Sequence, residues 1–534
     1  MQSLKRKKSF ISFLFLAVII FFITSFVSLS ILLIYIFRFS IKELFNNTFP
    51  PKAISSLDLT QEQKIEDFEF LYDTVVSSMT SLDNYEKAYG FNFKDRKELY
   101  ENLILETKND YEFYVTLEAI FYDIPSFHTD LIYPTSKPDN LRCYNERRIS
   151  TDRNVISYNQ YWEKLVDKSN LDDDSKYYSF LYQDGNYNFS TYDSFDNNTF
   201  EKYSLEMING IPVDEYVTAQ PSIFKLFYDG KFDKPFREKI VFNDHIGTEC
   251  KLTLTSDTGE TKECTLFSDI YYDWVFREKI SSLDSSANDF YSFDGSDVSY
   301  IMIGNMEYEK KSSIEEMLKK IKNDNVILDL RRNYGGYSLM GQEAIYPYLF
   351  SDSFTEKRVF YCPKSKSNKQ IKTTLIDYFT LPFFKDAVDA PFDLDVDLYQ
   401  ATETTTYTGK AESNKNVVIL TSHITGSAAD MFVHDMRKHS LAYVIGNNTG
   451  GEGLGKSFVA SKLPNSNLVF IYFPWGNYTF ENFDNSAFGT RPDSYSDSLQ
   501  SFMHYEAINT PEGFDDLYNN DETIRLAYNY LTKK

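Results

Sequence analysis

The sequence predicts a multidomain α/β protein, and three observations predict it. After Thr60 apolar residues recur at helical steps, from about 150 to about 285 short alternating runs are separated by polar turns, and from about 295 unbroken apolar strands alternate with amphipathic helices. The chain has 534 residues, 42% hydrophobic and 25% charged. That composition is globular, and the length exceeds what one core absorbs, so two or three domains are expected. Lys and Arg number 55 against 78 Asp and Glu, a net charge of −23. So acidic a surface repels phosphate backbones, and no nucleic-acid partner is expected. The 4 Cys form no CxxC pair, which disfavours a disulfide scaffold and a structural zinc site.

The first element is apolar. From Phe10 to Phe37 no residue is charged; Lys5, Arg6, Lys7 and Lys8 precede the run and Arg38 follows it. About 20 apolar residues span a bilayer, so the run predicts a transmembrane helix. The expectation is a cytoplasmic stub at 1–8, a single-pass anchor at 9–38 in the cell membrane, and the bulk of the chain extracytoplasmic. A cleaved signal of unusual length is the alternative. Residues 39–59 contain Pro50 and Pro51 and no sustained period, and read as a tether.

A small helical bundle is expected over 60–145. Thr60 and Gln63 form a capping-box pair, and Ile65, Phe68, Leu71, Tyr72, Val75, Val76 and Met79 follow on one face. Further helices are expected at Lys94 to Thr107 and Asp110 to Asp123, before the segment IPSFHTDL. Residues 150–285 read as a β-rich module, with EKYSLEMINGIPVDEYV and the hairpin CKLTLTSDTGETKECTL. Cys250 and Cys264 flank that hairpin turn, where a cross-strand disulfide and two reduced thiols both fit.

Over 290–534 the strands SYIMIGNM, NVILDL, NVVILTS and AYVIG alternate with helices at SSIEEMLKKIKND, Ser338 to Leu349 and SAADMFVHDMRKHS. Sheets of this kind bind ligands at the carboxyl ends of their strands. The loop TSHITGSAADMF places Ser427 at a helix start, where a developing oxyanion lies within reach of the Ala428 amide. A plain N-cap, supported by Asp430, is the simpler reading of that serine. In VILDLRRNYGG, Gly335 and Gly336 allow close approach, and the Gly336 amide offers a second oxyanion donor. A glycine pair after a strand is otherwise just a turn. With only 6 His in the chain, His128 and His423 are the candidate bases, and His434 and His439 are less well placed. GGEGLGKS matches the phosphate-binding P-loop pattern, but a strand-like stretch follows it where a helix is required.

Taken in order, the His-terminated bundle, INGIPVDEY, VILDLRRNYGG, ITGSAADMF, VIGNNTGG and FGTRPD resemble the serine peptidase family of C-terminal processing and tricorn-core peptidases. The resemblance implies a PDZ-like module around MINGIPVDEYV and an α/β peptidase domain of that type after it. It implies Ser427 as nucleophile, with Ala428 and Gly336 as oxyanion donors, and no metal or organic cofactor. In the processing branch a Lys follows the TxG motif, whereas this chain has Glu452 there and Lys456 out of register. In the tricorn-like branch a His ending the helical domain is the base, which assigns His128 that role with Ser126 in support. That branch also carries a Glu three residues before the Gly of GxxPD, where this chain has Ser486. Asp484 or Glu481 is left to orient the base. The expected function is therefore a membrane-anchored, extracytoplasmic serine peptidase acting on peptides or unfolded proteins. A catalytically impaired homologue that binds peptides as a scaffold is the alternative.

Overall fold

The computed structural model describes residues 39–124, 126–135, 146–166, 176–190, 200, 202–271, 273, 290–369, 385–392, 394, 396–456, 458–496 and 511–533. Its organising element is a six-stranded sheet in the order Phe290–Asp294, Val298–Ile303, Asn325–Asp329, Asn416–Thr421, Ala442–Gly446, Ser494–Tyr495. All pairings are parallel except that of the first, edge strand. The period of two separates the faces: Ile301, Leu328, Ile419 and Val444 pack under helix Ala428–Lys438, while Tyr300, Ile327, Val418 and Ile445 pack under helix Glu522–Thr532. Burial of both faces explains why these strands read as unbroken apolar runs. Strands Asn325–Asp329 and Asn416–Thr421 are neighbours, so the loops after them emerge side by side at one sheet edge.

The β-rich segment forms a seven-stranded antiparallel sheet, closed on itself by pairing of Asn186–Phe189 with Tyr203–Ile208. Helix Val213–Ala219 plugs it with Val213 and Val217. Thr248–Ser256 and Thr261–Ser268 make the expected hairpin, with Cys264 opposite Leu252 and Cys250 opposite Leu266. The two cysteines are thus diagonal rather than paired, and both are free thiols.

The helical segment does not pack alone. The capping box of Thr60 and Gln63 starts helix Gln61–Ser78, followed by Leu82–Tyr89, Lys97–Glu106 and Asp110–Tyr122. Phe68, Leu71, Tyr100 and Phe121 share one core with Leu463, Phe470, Tyr472 and Trp475 from near the other end of the chain. A short strand, Asp130–Leu131, then pairs with Val469–Tyr472. That pairing carries the His128 loop into the C-terminal half. Asp123 accepts Arg96 at 2.8 Å within this region and Arg237 at 2.7 Å from the two-stranded ribbon of Leu226–Asp229 and Lys234–Arg237.

Several expectations are corrected. Among the described residues no helix is long and apolar enough to cross a membrane. The longest helix with printed bounds, Gln61–Ser78, carries Glu62, Lys64, Glu66, Asp67, Glu69 and Asp73 along its length. The run Phe10 to Phe37 lies outside the described residues. The transmembrane anchor, the single-pass cell-membrane location and the extracytoplasmic placement are therefore withdrawn. Residues 39–48, read as a tether, are helical and docked, with Asn46 donating to the Thr151 carbonyl at 3.1 Å. The helix expected at Ser338 to Leu349 is a π turn, Gly341–Ile345, continuing into the short helix Tyr346–Leu349. Gly341 has no room for a Cβ beside Phe432, and Pro347 cannot complete a regular ladder.

Candidate active site

The strand-end loops are latched together before any reactive group is placed. Ser422 Oγ donates to the Arg331 carbonyl at 2.5 Å and Thr425 Oγ1 to the Leu330 carbonyl at 2.8 Å. Asn333 donates from its amide to the Ile303 carbonyl at 2.8 Å and accepts from the Gly335 amide at 2.8 Å, and its own carbonyl receives the Gly426 amide at 3.0 Å. Nothing in the motif reading singled out Asn333, although an Asn two residues before a glycine is the signature of an Asx turn.

Ser427 stands on the sharp bend between strand Asn416–Thr421 and helix Ala428–Lys438, with φ 52° and ψ −122°. A non-glycine residue there costs about 1 to 3 kcal/mol and persists only where its surroundings enforce it. They do: its amide donates to the Gly451 carbonyl at 2.9 Å and its carbonyl accepts the Met431 amide at 2.9 Å. Its hydroxyl makes no capping bond. The simpler N-cap reading is therefore set aside, and Asp430 has other work. Asp430 accepts Thr449 Oγ1 at 2.5 Å, Thr490 Oγ1 at 2.7 Å, Asn485 Nδ2 at 3.0 Å and the Gly453 amide at 3.1 Å. Asp430→Ala would orphan these donors, so a loss of about 3 kcal/mol is expected in the unfolding free energy measured by urea denaturation.

Gly335 lies against the serine so closely that a Cβ would sit 2.7 Å from Ser427 Cβ and 2.8 Å from the Ala428 nitrogen. Gly335 donates its amide to Asn333, so its part is proximity rather than hydrogen bonding to a ligand. The amides of Ala428 and Gly336 donate to no described residue, and Ser427 and Gly336 are not buried. The Ala428 amide, next to Ser427 in the chain, and the Gly336 amide, next to Gly335, are thus both free of described partners.

The His128 segment docks on the same loops. The Phe127 ring fills the space over Gly426 and Gly450, where a Cβ would lie 2.7 Å and 1.9 Å from it. Ser126 Oγ donates to Glu452 Oε1 at 2.6 Å, and the His128 amide donates to Glu452 Oε2 at 2.7 Å. The His128 imidazole packs against Phe458 and Phe473, centroids 5.6 Å and 5.5 Å away. Burial, aided by Lys225, lowers its pKa to about 4, which keeps the ring neutral at physiological pH. Neither this ring nor the Ser427 hydroxyl hydrogen-bonds to a described residue, so the two are not bonded to each other in this conformation. Such bonds are often open before substrate arrives.

The other expected partners lie elsewhere. His423 Nε2 is bonded to Glu238 at 2.9 Å, and its ring packs on Phe227 and Phe236. Asp484 accepts Asn84 Nδ2 at 2.7 Å, Ser81 Oγ at 3.2 Å and the Ser486 amide at 2.9 Å, so Asp484 and Ser486 make a cap rather than a partner for the His128 ring. Glu481 pairs with Arg437 at 2.6 Å, and Lys456 with Glu403 at 2.9 Å. Strand Val459–Lys462, not a helix, follows GGEGLGKS, which removes the P-loop reading.

Burial pushes the Glu452 carboxyl up to about 7 and that of Asp484 up to about 6, against the hydrogen bonds from Ser126 and from Asn84. A raised carboxyl pKa contributes stability below its ordinary value and loses it as pH rises through the folded value. Comparing Glu452→Gln with wild type cancels His128 and Asp484. The difference in unfolding free energy is expected to move toward the variant by about 3 kcal/mol between about pH 4.5 and about pH 8.

Residues 297–495 match the model of peptidase family S41. The match spans Gly335, Gly336, Ser427 and Glu452 and leaves His128 outside it. Among solved structures the fold is similar to that of a CPAF mutant, at 11% identity and a TM-score of 0.50, over 88% of this chain and 98% of that one. The photosystem II D1 C-terminal processing protease aligns at 11% identity and a TM-score of 0.32, over 82% of this chain and 94% of that one. The tricorn protease aligns at 13% identity and a TM-score of 0.33, over 89% of this chain and 37% of that one. No curated protein sequence matches the chain.

Proposed function

We propose that this chain is a serine peptidase of family S41 that cleaves peptides or unfolded proteins through Ser427, with His128 as general base. Ser427 Oγ attacks the scissile carbonyl carbon while its proton passes to the imidazole. The oxyanion is received by the amides of Ala428 and Gly336. His128 returns the proton to the leaving amine, which leaves an ester on Ser427. Water, deprotonated by the same imidazole, then hydrolyses that ester. Peptide or protein chains are the substrates, and the steps use no metal or organic cofactor. In this reading 60–145 supplies the base, 150–285 is a PDZ-like module that receives the substrate chain, and 290–534 is the peptidase domain.

The observation that carries the proposal is the left-handed Ser427, φ 52°, whose side chain makes no capping bond, with Gly335 packed against its Cβ and the adjacent Ala428 amide without a described partner. Hydrolysis of fluorescein-labelled casein by the full chain tests it. Activity is expected in wild type and in His423→Ala, and loss in Ser427→Ala and His128→Ala. Loss in His423→Ala with His128→Ala unaffected would overturn the assignment of the base.

A peptide-binding homologue without turnover is the second reading. Ser486 in place of an acidic residue, and the absence of a described hydrogen bond on the His128 ring, favour it. Casein binding unchanged by Ser427→Ala, with no fragments released by wild type, would select this reading over the first.

A further inference from the structure

The reaction proposed above builds positive charge on His128, and no described carboxylate bonds to that ring. A different carboxylate reaches the segment from behind. Glu452 is 3% exposed and lies between the two loops that matter. On one side its chain neighbours hold the serine: the Gly451 carbonyl accepts the Ser427 amide at 2.9 Å, and a Cβ on Gly453 would lie 2.3 Å from the Ser427 carbonyl oxygen. On the other side its carboxylate takes Ser126 Oγ and the main-chain amide of His128.

We propose that Glu452 is a positioning residue for His128: its ionised carboxylate clamps the 126–128 segment onto the serine loop and offsets the charge the imidazole acquires. The proposal rests on the Ser427 and His128 reading. It names a residue that stands where the processing branch of the family has lysine, so the side chain cannot act as that base does.

The surrounding groups show how the clamp responds to its own charge. Lys225 Nζ donates to the Ser126 carbonyl at 2.6 Å and lies 3.7 Å from Asp130, and it favours the ionised form. Asp484 opposes that form. Tyr85 and Tyr89 face both Glu452 and Asp484, and burial keeps their hydroxyls protonated. Ser126 is 2.6 Å from Glu452 Oε1 and 2.8 Å from Thr129 Oγ1, yet has one proton. When Glu452 is ionised, that proton points to the carboxylate. When Glu452 is protonated, the acid donates to Ser126 and Ser126 to Thr129. The contact therefore survives protonation, while the charge-assisted bond to the His128 amide weakens. Burial places this change near pH 7, well above the titration of His128.

The test is the rate of fluorophosphonate labelling of the full chain from about pH 5 to about pH 9, in wild type, Glu452→Gln, Ser126→Ala and Ser427→Ala. Wild-type labelling is expected to climb about tenfold as pH passes about 7. Glu452→Gln keeps an acceptor for the His128 amide but carries no charge. It should label at the wild-type rate near pH 5, which also shows that it is folded, and lack the climb. Ser126→Ala should move the climb to higher pH, because the lost bond favours the ionised form. Ser427-dependent labelling with parallel profiles in wild type and Glu452→Gln would overturn the clamp alone. Labelling that is absent in wild type, or that survives Ser427→Ala, would overturn the underlying reading and the clamp with it.

Discussion

Ser427→Ala is expected to lower the turnover number for casein by about 10⁴-fold or more, leaving only what the amides and the groove supply. The loss falls on chemistry, not on folding. The hydroxyl makes no capping bond, and alanine at φ 52° carries the same backbone strain as serine, so the unfolding free energy from urea denaturation should stay within about 0.5 kcal/mol of wild type. Casein binding should persist, because the groups that would receive the substrate are main-chain amides. A fall in binding parallel to the fall in turnover would mean that the substitution disturbs the loop rather than removes a nucleophile.

Gly335→Ala is expected to lower labelling and turnover by about 10²-fold although Gly335 supplies no reacting group itself. The added carbon would meet the Gly426 carbonyl oxygen at 2.7 Å, Ser427 Cβ at 2.7 Å and the Ala428 nitrogen at 2.8 Å. Two of these are main-chain atoms of the serine loop and none is the end of a flexible side chain, so the loop itself must retreat. The residue also has φ +99°, a strain that alanine would add on its own account. Gly259→Ala separates the two effects. It has φ +81° with nothing within 4 Å, so it should cost about 1 kcal/mol of stability and leave turnover unchanged. Equal activity losses in both variants would show that backbone strain, not contact with the serine, is responsible.

What could be read from the residues alone follows from how local each feature is. Val326 to Leu330 and Val417 to Leu420 were legible because both faces of the sheet are covered, which leaves no polar alternation to confuse the pattern. Ser427, Gly335 and Gly336 were legible because a strand end, a bend and a helix start lie within a few residues of one another. The transmembrane expectation rested on apolarity alone, and none of the described helices has it. The helix at 39–48 was missed because its contacts are remote, Arg153 reaching Asn46 at 3.0 Å across 107 positions. The same distance effect hid the clamp. Ser126 and Glu452 are 326 positions apart, and no local pattern announces a pair that forms where the Asp130–Leu131 strand docks. The departure from lysine at 452 was visible; what the glutamate holds was not.

Peptide mapping by tandem mass spectrometry of the fluorophosphonate-labelled chain is the most direct measurement. A nucleophilic Ser427 predicts one phosphonyl adduct, on the peptide containing Gly426, Ser427 and Ala428, and none after His128→Ala. An adduct on another residue, or an unmodified Ser427 peptide from fully folded protein, would contradict it.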